Sequence, residues 1–112
     1  GASSHVARFL LAAREHDPDL RFAANLAFDD AVESALLTLD APVVEVDRSN
    51  EPAPDEEGST MGWAARRAFE TADATPAAVY DRGAVGKEAV TRLLAPDADA
   101  LAERATAILD EL

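Results

Sequence analysis

Cysteine is absent from this chain, which removes disulfides, thiolate nucleophiles and cysteine-ligated zinc from its chemistry. Histidine is almost as scarce. His5 and His16 are the whole supply, too few for a self-contained histidine metal centre. A magnesium site built from oxygens stays open. Lysine occurs once, as Lys87, beside nine arginines and 22 acidic residues. A net charge of −12 leaves no clustered cations for a nucleic-acid surface or an anionic membrane. No apolar run approaches the roughly 20 residues that cross a bilayer. The start also lacks the basic segment and apolar stretch of a secretory leader, so a cytoplasmic protein is expected. Neither a Walker loop nor a dinucleotide glycine fingerprint occurs, and ATP or NAD binding finds no support.

What remains is enough for one domain. At 112 residues, 48% apolar and 5% aromatic, the composition fits a globular α/β chain with a single core rather than a disordered one. The acid excess, abundant alanine and solitary lysine resemble proteins adapted to high salt, where screening within a few ångströms removes self-repulsion. The chain opens on Gly1-Ala2-Ser3-Ser4-His5, which reads as the middle of a longer sequence.

Hydropathy periodicity predicts eight elements. Ser3 or Ser4 caps a first helix with Val6, Phe9, Leu10 and Ala13 at helical spacing, stopped at Asp17-Pro18-Asp19. Residues 21–28 read as a strand with Phe22, Leu26 and Phe28 on one face. A second helix opens at Asp29 or Asp30 and runs to Leu39 on a stripe of Val32, Leu36 and Leu39. Residues 41–46 form a short strand buried on both sides, or nearly so, through Val43, Val44 and Val46. A polar, proline- and acid-rich loop, 47–59, leads into a third helix from Gly58-Ser59-Thr60 to about Ala74. Strands at 77–80 and 89–94 flank a glycine loop that holds Lys87. Pro96-Asp97 starts a closing helix on Leu101, Ala105, Ile108 and Leu112. Alternating helices and strands make the class α/β in layers; the pattern does not settle a parallel or mixed sheet. No internal repeat is present.

Several positions have chemical potential, each with a plainer explanation beside it. His5 lies in the first turn of a helix, where free N–H groups and the dipole attract phosphate and keep an imidazole neutral; it is otherwise an exposed histidine at a helix start. Asp47-Arg48 follows an apolar strand, and ligands in layered α/β folds lie beyond strand ends. A bidentate phosphate contact there competes with a salt bridge inside the acidic loop. Asn25, within an apolar strand, is costly to bury unpaired and either bonds backbone or meets a ligand's polar edge. Glu57-Gly58-Ser59-Thr60 is anion-friendly, or simply a cap. Gly86-Lys87-Glu88 offers a point charge where glycine lets backbone approach closely, or a turn with a surface lysine. Trp63 reads first as core packing and second as a stacking ring. His16 reads as a cation at a helix C-terminus. Three such loops together favour a phosphorylated small-molecule ligand.

In this order the segments resemble the ThiN family, the archaeal type of thiamine-phosphate synthase domain. The matching stretches are Gly1-Ala2-Ser3-Ser4-His5-Val6-Ala7-Arg8, Arg21-Phe22-Ala23-Ala24-Asn25, Asp47-Arg48 with Glu51-Pro52, Glu57-Gly58-Ser59-Thr60-Met61-Gly62-Trp63, and Tyr80-Asp81-Arg82-Gly83 through Gly86-Lys87-Glu88. Ala84 stands where the family often has an acid, and Ala89 where it often has proline. The resemblance covers nearly the whole chain, so residues 1–112 read as the C-terminal portion of such a domain. It implies a three-layer α/β/α fold with a mixed sheet, similar to the class II aldolase fold, whose N-terminal part, with an arginine used by the enzymes, precedes Gly1. It implies fusion behind a hydroxymethylpyrimidine phosphate kinase domain, or behind a helix-turn-helix domain in regulators, and leaves room for a homodimer.

The implied reaction joins hydroxymethylpyrimidine diphosphate to hydroxyethylthiazole phosphate, releasing diphosphate, with magnesium as an expected aid held by no identifiable protein site. His5 is then the catalytic candidate, stabilising the leaving group or moving a proton. Ser3, Ser4, Asp47, Arg48, Gly58, Ser59, Thr60, Gly86, Lys87 and Glu88 are the substrate- and phosphate-binding candidates, with Asn25 on a heterocycle edge. The competing class is a domain that binds thiamine phosphate and reports its presence to a DNA-binding partner. Regulators of that kind tend to lose the histidine matching His5, so its presence favours the synthase. A remnant with neither role is the third reading.

Overall fold

The computed structural model describes residues 2–39, 41–47, 60–83 and 88–112. Eight elements follow in the expected order: α1 (Ala2–Arg14), β1 (Phe22–Ala27), α2 (Asp30–Leu36), β2 (Val43–Glu45), α3 (Thr60–Thr71), β3 (Ala78–Asp81), β4 (Val90–Ala95) and α4 (Ala98–Glu111). The sheet order is β1-β4-β3-β2. β4 runs antiparallel to both of its neighbours, β1 and β3, while β2 and β3 are parallel. The sheet is therefore mixed.

Strand alternation divides the core in two. Val44, Val46, Val79 and Leu94 pack with Phe9 and Ala13 of α1 and with Trp63, Ala64, Ala65 and Ala68 of α3. On the other face Ala78 and Leu93 pack with Val32, Ala35 and Leu36 of α2 and Ile108 of α4. Neighbouring residues of one strand thus enter different clusters, as the period of two requires. Helices cover both faces, which makes the three layers α/β/α. Alanines on α1 and α3 let those helices lie close against the sheet, and Trp63 is part of that core. The first of its two readings holds.

Several boundaries differ from the periodicity. α1 already includes Ala2, so Ser3 and Ser4 belong to its first turn instead of capping it. The first-turn N–H groups lack intrahelical acceptors either way. α2 ends at Leu36: Asp29 caps its start by accepting from the Val32 N–H at 2.9 Å, and the chain turns at Leu37. Leu39 still packs on the second cluster, which is why its spacing looked helical. Leu26 and Phe28 join that cluster as expected, but Phe22 is 40% exposed because β1 is an edge strand. Asp97 caps α4 by accepting from the Ala100 N–H at 2.7 Å. His16 lies beyond the last turn of α1 and stacks on Phe69 of α3, ring centroids 4.9 Å apart. The ring contact adds to its place just after a helix C-terminus.

Leu36 and Leu37 give a direct test of this layering, since Leu36 is 1% exposed and Leu37 82%. Leu36→Ala should cost about 2–5 kcal/mol in urea unfolding through transfer and cavity terms. Leu37→Ala should stay within about 0.5 kcal/mol. Equal losses would mean that α2 packs with a different face.

Candidate functional site

The strand directions bring distant parts of the sequence to one edge of the sheet. β1 and β3 both oppose β4, and β2 follows β3, so β1, β2 and β3 all end at the edge where β4 begins. The opposite edge is fixed by backbone bonds, Arg21 N–H to the Ala95 carbonyl at 3.1 Å and Ala77 N–H to the Pro42 carbonyl at 2.8 Å. α1 and α3 finish there too. His16 stacks on Phe69, and the Thr75 hydroxyl donates to Asp17 just past α1. Each helix has 12 or 13 residues and is about 20 Å long at 1.5 Å per residue, close to the span of a six-residue strand. Both helices therefore start at the edge where three strands end.

Among the described residues, that edge gathers the backbone of Ser3, Ser4 and His5 in the first turn of α1. It also holds Thr60 at the first position of α3, Asp47 just beyond β2, and Glu88 just before β4. Asp47 and Glu88 are exposed. Asn25 sits near the end of β1 opposite Arg92 of β4. It is exposed on an edge strand, so the desolvation cost expected of a buried amide does not arise, and it is accessible from solvent. Arg48, Gly58, Ser59, Gly86 and Lys87 lie outside the described residues, as do the side chains of Ser3, Ser4, His5 and Thr60. Two helix N-termini at one sheet edge offer oriented N–H groups and positive dipole ends, an arrangement that receives phosphate. Among the described residues no group of three or more histidine, aspartate or glutamate side chains could hold a metal ion.

Two charged arrangements at this edge escaped the reading of the sequence. Asp81 and Arg92 are buried on the α1–α3 face, with Arg92 Nη1 3.5 Å from Asp81 Oδ2. On the opposite face the next residue, Arg82, donates to Glu33 of α2 and, through Nε at 3.0 Å, to Glu45 of β2. Its guanidinium lies 5.3 Å from the Phe28 ring centroid and 5.9 Å from that of Tyr80, and those rings stack at 4.4 Å. The chain leaving β3 is thus held by ion pairs on both faces. The available signal was Arg92 inside the apolar run Val90-Thr91-Arg92-Leu93-Leu94, where a charge is unusual in a strand with both neighbours paired. A hollow of about 300 Å³, lined by Glu33, Ser34, Leu36, Leu37, Val43 and Tyr80, lies on the α2 side and includes none of the expected site residues.

Residues 1–107 match the family described as thiamine-phosphate synthase ThiN. The chain is 40% identical over 111 residues to the thiamine-phosphate synthase ThiN of Methanothermobacter thermautotrophicus, an alignment covering 97% of this chain and 58% of that protein. It is 38% identical over 98 residues to the bifunctional thiamine biosynthesis protein ThiDN of Methanocaldococcus jannaschii, covering 88% of this chain and 22% of that one. Among solved structures, the C-terminal domain of a phosphomethylpyrimidine kinase superposes with a TM-score of 0.86 over 93% of this chain and 60% of its own, at 24% identity, which speaks for the fold alone. The chain spans less than two thirds of the length of these relatives.

Tyr80 reports on the Arg82 cluster because it is the sole tyrosine. Burial lifts its phenol above the ordinary 10.0, helped by the charges of Glu45 and Glu33 and opposed by Arg82. A raised acid means that the fold favours the neutral phenol. Its contribution is whole below pH 10 and is lost as the pH climbs through the folded value. Ultraviolet titration of the phenolate should therefore give a midpoint above that of free tyrosine, and Glu45→Gln should bring it down. A midpoint unmoved by that change would detach Glu45 from the ring.

Proposed function

The chain belongs to the ThiN family, and from that premise we propose that the protein carrying it condenses hydroxymethylpyrimidine diphosphate with hydroxyethylthiazole phosphate to give thiamine phosphate and diphosphate. The observation that carries this reading is the meeting of the α1 and α3 N-termini with three strand ends at one edge of the sheet. In the reaction the bond from the pyrimidine's methylene carbon to the diphosphate oxygen breaks, and a bond from that carbon to the thiazole nitrogen forms. Negative charge gathers on the departing diphosphate while the methylene becomes cationic. Oriented N–H groups and arginine forks suit the first change, and fixed positioning of the two rings suits the second.

His5, in the first turn of α1, is assigned to stabilising the leaving group or transferring a proton to it. Lys87, Arg48, Ser59 and Thr60 are assigned to phosphate. Ser3 and Ser4 add first-turn donors beside His5. Gly58 and Gly86 allow close approach of backbone, Asp47 and Glu88 order the cations beside them, and Asn25 meets a heterocycle edge. Magnesium, where the reaction uses it, would be held by substrate oxygens more than by a protein cage. Fusion to a kinase domain and a cytoplasmic location go with this assignment, and one relative is named as bifunctional.

His5→Ala in the full-length protein should lower turnover by about 10²–10⁴-fold, the usual range for a lost acid–base group. Calorimetric titration should still detect thiamine phosphate. Unchanged turnover would remove His5 from the chemistry. Binding without any turnover in the wild type would assign the site to ligand sensing instead. Salt adaptation is the second element of the proposal, and it rests on the net charge of −12. The melting temperature should rise steadily from about 0.1 M to about 2 M potassium chloride as the Debye length falls. A flat profile would show that self-repulsion does not limit this fold.

A further inference from the structure

Asp81 and Arg92 have no part in the assignments above, yet they lie beneath the edge where those assignments converge. Asp81 is 2% exposed and Arg92 6%. Taking a carboxylate and a guanidinium out of water is expensive, and well-packed apolar residues of the same volume often serve stability as well or better. Their geometry supplies another reason for keeping them. Asp81 faces two ways: Oδ2 lies 3.5 Å from Arg92 Nη1, and Oδ1 accepts from the Gly83 N–H at 2.8 Å. Gly83 has φ 80, in the left-handed region, so this bond fixes the backbone where the chain leaves β3. Arg92 also faces two ways, with its guanidinium 5.4 Å from the ring centroid of Phe9 in α1. His5 stands one helical turn before Phe9.

A continuous physical line therefore joins α1, the guanidinium of β4, the carboxylate of β3 and the backbone at Gly83. We propose that Arg92 and Asp81 are positioning residues, which set the distance between the first turns of α1 and the backbone at Gly83, just past β3. A planar guanidinium can lie against a ring and donate to a carboxylate at once; an ammonium cannot do both from a fixed place. The pair works through the elements it joins and touches no substrate. Its effect on turnover rests on the synthase reading, whereas its effect on placement does not.

The test uses the full-length protein with Arg92→Lys, Asp81→Asn and the double change Arg92→Met with Asp81→Leu, which removes both charges at similar volume. Melting temperature reports folding, and kcat and KM report turnover with the two thiamine precursors. The ring resonances of His5 and His16, assigned by replacing each with glutamine, report placement. His16, stacked on Phe69 at the far edge, is the internal standard. The double variant is expected to fold, to lose roughly 100-fold in kcat, as a displacement near 1 Å does, and to keep KM within about threefold. The His5 resonance should move while that of His16 stays. A folded double variant with wild-type kcat and an unmoved His5 resonance overturns the proposal. Should that variant fail to fold, Arg92→Lys and Asp81→Asn decide. Low kcat and a shifted His5 signal in folded protein support positioning, and recovery of both with the melting temperature reduces the pair to a structural role. A wild type that does not turn over the precursors sinks the synthase reading, and the His5 resonance then judges the placement alone.

Discussion

The position of β4 governs this molecule. It is the one strand of the described sheet that runs against the others, and it lies between β1 and β3, bonded to both. That reversal makes β1 and β3 parallel although they are not adjacent, and β2 joins them by pairing with β3. Three strands then end at the same edge. The helices that precede β1 and β3 have to start there, because their ends are tied to the opposite edge by the contacts of His16 and Asp17 with Phe69 and Thr75. With β4 at an outer position, β1 and β3 would no longer share this strand as a common partner. The meeting of two helix N-termini with three strand ends is thus a consequence of strand order before it is a consequence of any individual residue.

The elements themselves were legible because this sequence is consistent from one level to the next. Asp29 and Asp97 cap the helices that follow them, and the valines of β2 and leucines of β4 alternate between two clusters as a pleated strand demands. The misjudged details share a physical cause. Leu39 and Phe22 carry apolar character at the right spacing, but spacing says nothing about where a helix turns or which strand is an edge. Asn25 looked expensive for the same reason. Its neighbours in sequence are apolar, while its place on β1 leaves it in contact with water. Strand order depends on pairings between residues far apart in sequence, such as Asn25 with Arg92, and local periodicity does not encode them.

Among the described residues, arginine supplies the charged links between elements. Arg92 is buried with Asp81, Arg82 bridges Glu33 and Glu45, and Arg104 donates to the Leu94 carbonyl at the end of β4. Each bond uses the fixed fork of a guanidinium, which can serve two acceptors or lie against a ring while it donates. These three arginines therefore join one element to another, and the acidic residues left over give the surface its charge. A lysine has no such fork; its ammonium is a compact, strongly hydrated point charge on a flexible stem. On the proposed reading the solitary lysine, Lys87, is left to meet a phosphate as a point charge. The same contrast separates Arg92 from Lys87. One acts by holding α1 and the end of β3 in register, and the other, on the synthase reading, acts on the ligand that this register admits.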